Sequence, residues 1–223
     1  MPTLLEQFDS ICADLINQKK MTVKSEDCWV VGSHPTHLLS IMIHGNEVLG
    51  LHLMIDLLKN LKDESFGLVL GNRNATLLNK RFTQRDLNRS FLDPSTEMFE
   101  ERRAKQIESF SKNFKFILDI HQTSHTAEKE FFLCRNHKES LQMSEVFKDS
   151  PLVFLKESKM SSEGEGFGSF TLAESIPFLT LELGKMGMNQ QFFDLGKKFI
   201  HLFLNYQGLS LIHISEPTRR TPI

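Results

Sequence analysis

The chain has 223 residues, 40% hydrophobic and 24% charged, which is typical of one globular domain with a sizeable core. A formal net charge of -2 provides no basic surface for nucleic acid, and no apolar run approaches the ~20 residues of a transmembrane helix, so neither nucleic acid nor membrane is expected as a partner. The N-terminal residues lack signal-peptide features and the three cysteines form no CxxC pair, so we expect a cytoplasmic protein with reduced thiols.

Hydrophobic patterning predicts helices and short strands that alternate along most of the chain. Helices are predicted over residues 3–18, 48–61, 97–112, 139–148 and 190–206, with the third charged and facing solvent. Strands are predicted over residues 29–31, 38–43, 66–71, 114–120, 131–134, 152–155 and 177–183. This alternation is typical of an α/β layered domain.

Three further stretches lack a clear period. Residues 73–93 are polar and are predicted as a long loop with one helical turn, and long ordered loops often carry function. Residues 163–168 contain three glycines and are predicted as a flexible loop. We expect residues 1–207 to form the catalytic domain and residues 208–223 to be a tail that is non-native or disordered, with a natural polar tail as the alternative.

A candidate metal site begins at the junction of the strand at 38–43 and the helix that follows it. His44 and Glu47 are three positions apart and can converge on one ion, although this spacing alone recurs by chance and a core histidine is the alternative. His121 follows another apolar strand and supplies a third ligand. Two histidines and one glutamate leave a fourth position for water, as in catalytic zinc sites, and Asp119 is a candidate to orient a ligand.

An arginine-rich stretch lies in the long predicted loop. Residues 81–89, RFTQRDLNR, contain three arginines, an aspartate and an asparagine. Guanidinium groups bind carboxylates bidentately and asparagine binds amide or carboxylate oxygens, so the stretch could clamp an acidic substrate. A solvated charged loop is the alternative that composition alone favours.

Glu182 places a carboxyl group within the apolar strand predicted at 177–183. Burial would raise the pKa of this carboxyl group, which suits a group that transfers protons at neutral pH. An edge strand on which Glu182 faces water fits the alternating pattern equally well.

Five motifs occur in a fixed order along the chain. They are HGNE at 44–47, GN at 71–72, RFTQRDLNR at 81–89, DIH at 119–121 and TLELGK at 180–185. Together they resemble the succinylglutamate desuccinylase/aspartoacylase family, relatives of the zinc carboxypeptidases, over roughly residues 38–206. TLELGK is similar to the desuccinylase branch.

The resemblance implies a fold, a cofactor and a set of roles. The fold would be an α/β, three-layer, zinc-carboxypeptidase-like domain with a central mixed sheet flanked by helices. One Zn2+ per chain would lie on His44, Glu47 and His121, and Glu182 would be the general base that deprotonates the zinc-bound water and then protonates the leaving amine. The remaining implied residues, which would hold a substrate carboxylate or amide oxygen, are Arg81, Asn88 and Arg89, the last polarising the carbonyl beside zinc.

The expected function is therefore that of a zinc-dependent amidohydrolase that cleaves the amide bond of a small anionic N-acyl amino acid. A zinc carboxypeptidase acting on short peptides and a binding protein with a degenerate site are the alternatives. A homo-oligomer is compatible with the sequence.

Two features depart from the family's pattern. The family has a further substrate-binding arginine shortly before the catalytic glutamate, whereas residues 166–181 contain no arginine. The sequence therefore does not identify the acyl group or the amino acid of the substrate. The family also continues into a C-terminal β-rich domain that helps to wall the active site. Here the sequence ends soon after the last predicted helix, and we expect this chain to lack that domain.

Overall fold

Eight strands and seven α-helices form the part of the chain that the computed structural model describes, residues 3–155 and 164–208. The strands are β1 (Met21–Ser25), β2 (Cys28–Val31), β3 (His37–Ile41), β4 (Phe66–Leu70), β5 (Phe116–Thr123), β6 (Phe131–Cys134), β7 (Leu152–Phe154) and β8 (Phe178–Lys185). The helices are α1 (Leu4–Asn17), α2 (Leu49–Lys59), α3 (Arg73–Leu77), α4 (Phe99–Ser111), α5 (Lys138–Ser144), α6 (Phe167–Ala173) and α7 (Gln190–Leu204). The predicted tail lies outside these residues from position 209 onward.

All eight strands belong to one mixed sheet, in the order β1-β2-β4-β3-β5-β8-β6-β7. The central strands β4, β3, β5 and β8 are mutually parallel, and antiparallel pairs join β2 to β4 and β6 to β8. β3 and β4 are buried along their whole length, which agrees with their largely apolar sequences. Because β8 lies between β5 and β6, the edge-strand alternative for Glu182 is wrong.

Helices cover both faces of the sheet, so the predicted three-layer α/β fold is confirmed. One face packs against α1, α2 and α7 through a large cluster that includes Phe8, Leu53 and Phe203. The other face packs against α4 and α6 through a smaller cluster that includes Ile107 and Phe170. None of the helices in the described residues combines the length and apolar composition needed to cross a membrane.

The pleat of the sheet directs the polar side chains of β5 and β8 to a common face. Leu118 and Leu181 belong to the large cluster, and successive residues of a strand point to opposite faces. Asp119, His121 and Glu182 therefore lie on the face that α4 and α6 cover. Strand pairing places His121 directly beside Glu182.

Most of the predicted elements are confirmed within a few residues, but three predictions need correction. The last two residues of the glycine-rich stretch predicted as a loop begin α6, whose Phe167 and Phe170 are buried in the smaller cluster, while residue 163 lies outside the described residues. β1 was not predicted, since Met21 alone of its residues is buried and the strand depends on its pairing with β2. β5 continues past its predicted end, so His121 lies within the strand.

The prediction that α4 faces solvent is wrong for several of its charged residues. Arg103 is only 2% exposed, and its guanidinium donates hydrogen bonds to four backbone carbonyl groups. The acceptors are Glu26 at 2.7 Å, Gly71 at 2.8 Å, Leu70 at 2.9 Å and Asp27 at 3.1 Å. Arg103 thus joins α4 to the start of β2 and the end of β4.

We expect Arg103→Met to lower the free energy of unfolding by about 3 kcal/mol, because four backbone carbonyl groups would each lose a hydrogen bond from a buried guanidinium. Arg102→Met removes the same charge from an exposed position on the same helix and should change stability by less than about 0.5 kcal/mol. Denaturant unfolding followed by circular dichroism measures both variants. Equal destabilisation by the two substitutions would contradict the role given to Arg103.

Candidate active site

Three of the predicted site residues meet at the carboxyl end of the parallel strands. His44 and Glu47 lie in the turn between β3 and α2, and His121 lies on β5; each is at most 3% exposed. One Glu47 carboxylate oxygen is 2.7 Å from His44 Nδ1, and the other is 3.0 Å from His121 Nδ1. Ligand atoms of the three residues lie within 4.8 Å of one another, close enough to hold one metal ion.

A second carboxylate contacts the outer nitrogen of each histidine ring. His121 Nε2 is 2.6 Å from Asp119 Oδ2, and His44 Nε2 is 3.1 Å from Asp86 Oδ1. Both rings therefore turn Nδ1 towards Glu47. Outer carboxylates of this kind fix the tautomer and orientation of metal-binding histidines. Asp119 was predicted to orient a ligand, whereas Asp86 was missed, although its position among three arginines is the signal that could have identified it.

The electrostatics of this cluster fit a bound cation. Burial alone would raise the pKa of Glu47, but His121 and His44 hold it at about 2. Burial alone would lower the pKa of His121, but Asp119 and Glu47 raise it well above its usual value. Two imidazole nitrogens and one carboxylate form a donor set that zinc accepts, and negative charge close behind the donors favours a divalent ion.

Glu182 lies beside this cluster with one unsatisfied oxygen. Its Oε2 is buried and has no hydrogen-bond partner within the described residues, and the same holds for Asp119 Oδ1. Burial raises the pKa of Glu182, and the nearby charges of Glu47 and Asp119 raise it further, against the opposing effect of the histidines. The rise matches the sequence-based expectation. A carboxyl group with a raised pKa can both accept and return a proton near neutral pH.

The HGNE motif contacts the arginine-rich stretch through its glycine. The backbone N–H of Gly45 donates to the Arg81 carbonyl oxygen at 3.1 Å. A Cβ at Gly45 would lie 2.2 Å from backbone atoms of Ala75 and Thr76, so glycine allows α3 to approach the turn. The Arg81 side chain is 3.1 Å from Asp86 and 3.5 Å from Glu47, which brings its positive charge to the edge of the candidate metal centre.

Glu100 of α4 holds the middle of the arginine-rich stretch. Its fully buried carboxylate accepts hydrogen bonds from Thr83 Oγ1 at 2.6 Å, Thr83 N at 2.7 Å and Asn72 Nδ2 at 3.1 Å, and longer ones from Gln84 N. Burial alone would raise the pKa of Glu100, but these hydrogen bonds lower it. Glu100 was not predicted as a site residue, because its partners Thr83 and Asn72 lie 17 and 28 residues away in the sequence and leave no local pattern.

Asn88 and Arg89 follow in a short 3-10 helix, Leu87–Arg89. Asn88 Oδ1 accepts the backbone N–H of Phe167 at 2.9 Å, which fixes the side-chain amide with its NH2 group away from α6. Within the described residues the structure gives the Asn88 NH2 group no acceptor, so it is available to an oxygen of a bound molecule. Arg89 is held in part by a hydrogen bond from its Nη1 to the Asn88 carbonyl oxygen at 2.7 Å.

One cavity of about 600 Å³ brings the predicted residues together. Its size is that of a pocket for a small molecule. All seven predicted site residues line it, namely His44, Glu47, Arg81, Asn88, Arg89, His121 and Glu182.

The fold is similar to solved structures of several hydrolases. Succinylglutamate desuccinylase from Chromobacterium violaceum has 20% sequence identity and a TM-score of 0.69, over 84% of this chain and 70% of that one. Succinylglutamate desuccinylase/aspartoacylase from Rhodobacter sphaeroides has 23% identity and a TM-score of 0.66, over 79% of this chain and 57% of that one. Murine aminoacylase 3 has 23% identity and a TM-score of 0.62, over 77% of this chain and 63% of that one. This chain thus spans between about half and three quarters of their lengths.

The comparison of sequences identifies the family. No curated protein sequence matches the chain significantly. Residues 33–206 match the family described as the succinylglutamate desuccinylase/aspartoacylase catalytic domain, a range that includes every predicted site residue. The chain therefore belongs to the succinylglutamate desuccinylase/aspartoacylase family of hydrolases.

Proposed function

We propose that this chain is a zinc-dependent deacylase that hydrolyses the amide bond of a small anionic N-acyl amino acid. The observation that carries the proposal is a single cavity in which a His–Glu–His cluster, a buried carboxyl group and arginine side chains face the same space. Family membership supports an amide hydrolase, and the chemistry of these side chains supports the finer assignment.

His44, Glu47 and His121 are the residues that would hold the zinc ion. Zinc in such a site lowers the pKa of a water molecule and polarises an acyl oxygen. Asp86 and Asp119 keep the two imidazole rings in the ligating orientation through their contacts with the outer nitrogens.

Glu182 is the proposed proton-transfer group. It lies beside His121 on the neighbouring strand, and its raised pKa suits a carboxylate that takes a proton from the attacking water. The same carboxyl group then returns the proton to the nitrogen of the scissile amide, which leaves as an amine. Neither of these proton transfers requires a second titratable residue.

Arg81, Asn88 and Arg89 are the proposed substrate-binding groups. The Asn88 NH2 group and the Arg89 guanidinium offer donors to the carbonyl oxygen or to a carboxylate of the substrate. Negative charge that develops on the carbonyl oxygen during attack would be stabilised by such fixed donors.

We expect Glu182→Gln to lower kcat by roughly 10²- to 10⁴-fold, because glutamine preserves the shape of the side chain but cannot carry the proton. The assay follows release of amino acid from N-succinyl- and N-acetyl-amino acids, with short peptides as the competing substrate class and a chelator as a further arm. Glu128→Gln, at an exposed position outside the cavity, is the control and should retain full activity. Preferred cleavage of peptides would show a carboxypeptidase instead, and full activity of Glu182→Gln would refute its role.

Zinc affinity tests the metal site separately from activity. We expect one zinc per chain, lost in His44→Ala, and an affinity about 10- to 100-fold lower in Asp86→Asn and in Asp119→Asn, because each removes the carboxylate behind a ligating ring. Competition with a chromophoric chelator measures the affinity, and Asp194→Asn on the exposed surface of α7 is the matched control. A purified chain without stoichiometric zinc, unchanged by His44→Ala, would show a degenerate site.

A further inference from the structure

Arg135 lines the candidate active-site cavity at a position that the proposed chemistry does not use. It follows β6 directly, and β6 pairs with β8 so that Phe131 lies opposite Glu182 and Leu133 opposite Thr180. The same register places Arg135 opposite Phe178. Leu133 and Arg135 therefore share the sheet face of Glu182, with Arg135 four residues further along, about 13 Å at ~3.3 Å per residue.

The Arg135 guanidinium has no counter-charge among the described residues. Its Nε is buried without a hydrogen-bond partner, and the described residues provide no ion pair to it. Arg81, in contrast, contacts Asp86 and Glu47. A buried donor on a charged group is costly unless something accepts its hydrogen bond, so an unsatisfied one in a cavity wall calls for an explanation.

The side chains around Arg135 in the cavity wall are mainly apolar. Leu133, Leu155 and Phe178 line the same end of the cavity. A Cβ at Gly168 would lie 3.5 Å from Arg135 Nε and 3.1 Å from the Phe178 ring, so the absence of a side chain there leaves room beside the guanidinium. Within the described residues, this end of the cavity thus combines apolar walls with one cationic group.

We propose that Arg135 binds a second carboxylate of the substrate, at the end of the cavity remote from the metal centre. This inference rests on the proposed deacylase function, and it narrows the substrate class to acyl-amino acids that carry a distal carboxylate as well as the one bound near Arg89. A guanidinium offers paired donors that match a carboxylate, and the apolar walls would contact the methylene groups that precede it. The distal carboxylate belongs either to a dicarboxylic acyl group or to an acidic amino-acid side chain.

Four substrates distinguish a distal carboxylate on the acyl group from one on the amino-acid side chain. N-succinylglutamate carries both distal carboxylates, N-butanoylglutamate lacks the one on the acyl group, N-succinylglutamine lacks the one on the side chain, and N-butanoylglutamine lacks both. In Arg135→Gln we expect kcat/KM to fall about 10- to 100-fold, mainly through KM, for substrates that carry the carboxylate that Arg135 binds. Substrates without that carboxylate should change less than about twofold, and the pair that responds identifies the source.

Two further variants distinguish specific binding from general effects. Arg135→Lys keeps the charge but not the paired donors, and should recover part of the lost affinity. Lys198→Gln removes one positive charge from an exposed position on α7 and should leave all four substrates unchanged. An equal fall for all four substrates in Arg135→Gln, or no fall for any, would overturn the proposal.

A binding measurement keeps this inference separate from the proposed function. Glutarate, titrated calorimetrically into the full zinc-supplemented chain, should bind the wild type and bind Arg135→Gln about 10-fold or more weakly. If the wild type hydrolyses none of the four substrates but shows this difference, the deacylase proposal fails while the carboxylate site stands. Equal glutarate binding by both proteins would refute the site whatever the activity.

Discussion

The contact on which the rest of the site depends is the Glu47 carboxylate between the Nδ1 atoms of His44 and His121. The same carboxylate accepts the backbone N–H of Gln122 at 3.0 Å. The Gln122 side chain in turn accepts the backbone N–H of Leu49 at 3.0 Å and donates to the Lys185 carbonyl oxygen at 2.9 Å. The carboxyl ends of β5 and β8 and the start of α2 are therefore joined by hydrogen bonds at the point where the ligand atoms converge. The buried Glu47 carboxylate has a defined position because β5, β8 and the start of α2 are hydrogen-bonded together around it.

The cost of burying so many carboxylates is offset by donors from distant parts of the chain. Glu100 holds the arginine-rich stretch through backbone N–H groups, and Asp86, within that stretch, reaches back to His44. Burial alone would raise the pKa of Asp86, but His44 and Arg81 hold it below its usual value. The loop and the candidate metal centre thus stabilise each other, since the loop supplies the Asp86 carboxylate to His44 and is itself anchored by Glu100 of α4. A polar loop of this length becomes ordered because its charges are paired inside the fold.

The parallel core and the candidate ligand residues can be recognised in the sequence because both leave local patterns. The predicted strands at 38–43 and 114–120 are mostly apolar, and His44 and His121 follow them directly in the sequence. The roles of Asp86 and Arg103 could not be predicted in this way. Arg103 donates to carbonyl groups 32 or more residues away, and an amphipathic pattern cannot tell a charged residue that faces solvent from one that faces backbone acceptors. α6 was not predicted because the local glycine content disfavours a helix. The helix forms because Phe167 and Phe170 pack in the core, which is a tertiary contact.

The two ends of the cavity are built from different parts of the sheet. The end with the candidate metal centre depends on parallel pairing among β3, β5 and β8 and on hydrogen bonds between distant residues. The remote end depends on the antiparallel pairing of β6 with β8 and on the packing of α6, and neither contributes a candidate metal ligand. Side chains at positions 133 and 135 can therefore vary in size and charge without displacing His121 or Glu182, provided that the register is kept. In a fold built in this way, the residues at the remote end of the cavity can change while the candidate metal centre stays the same.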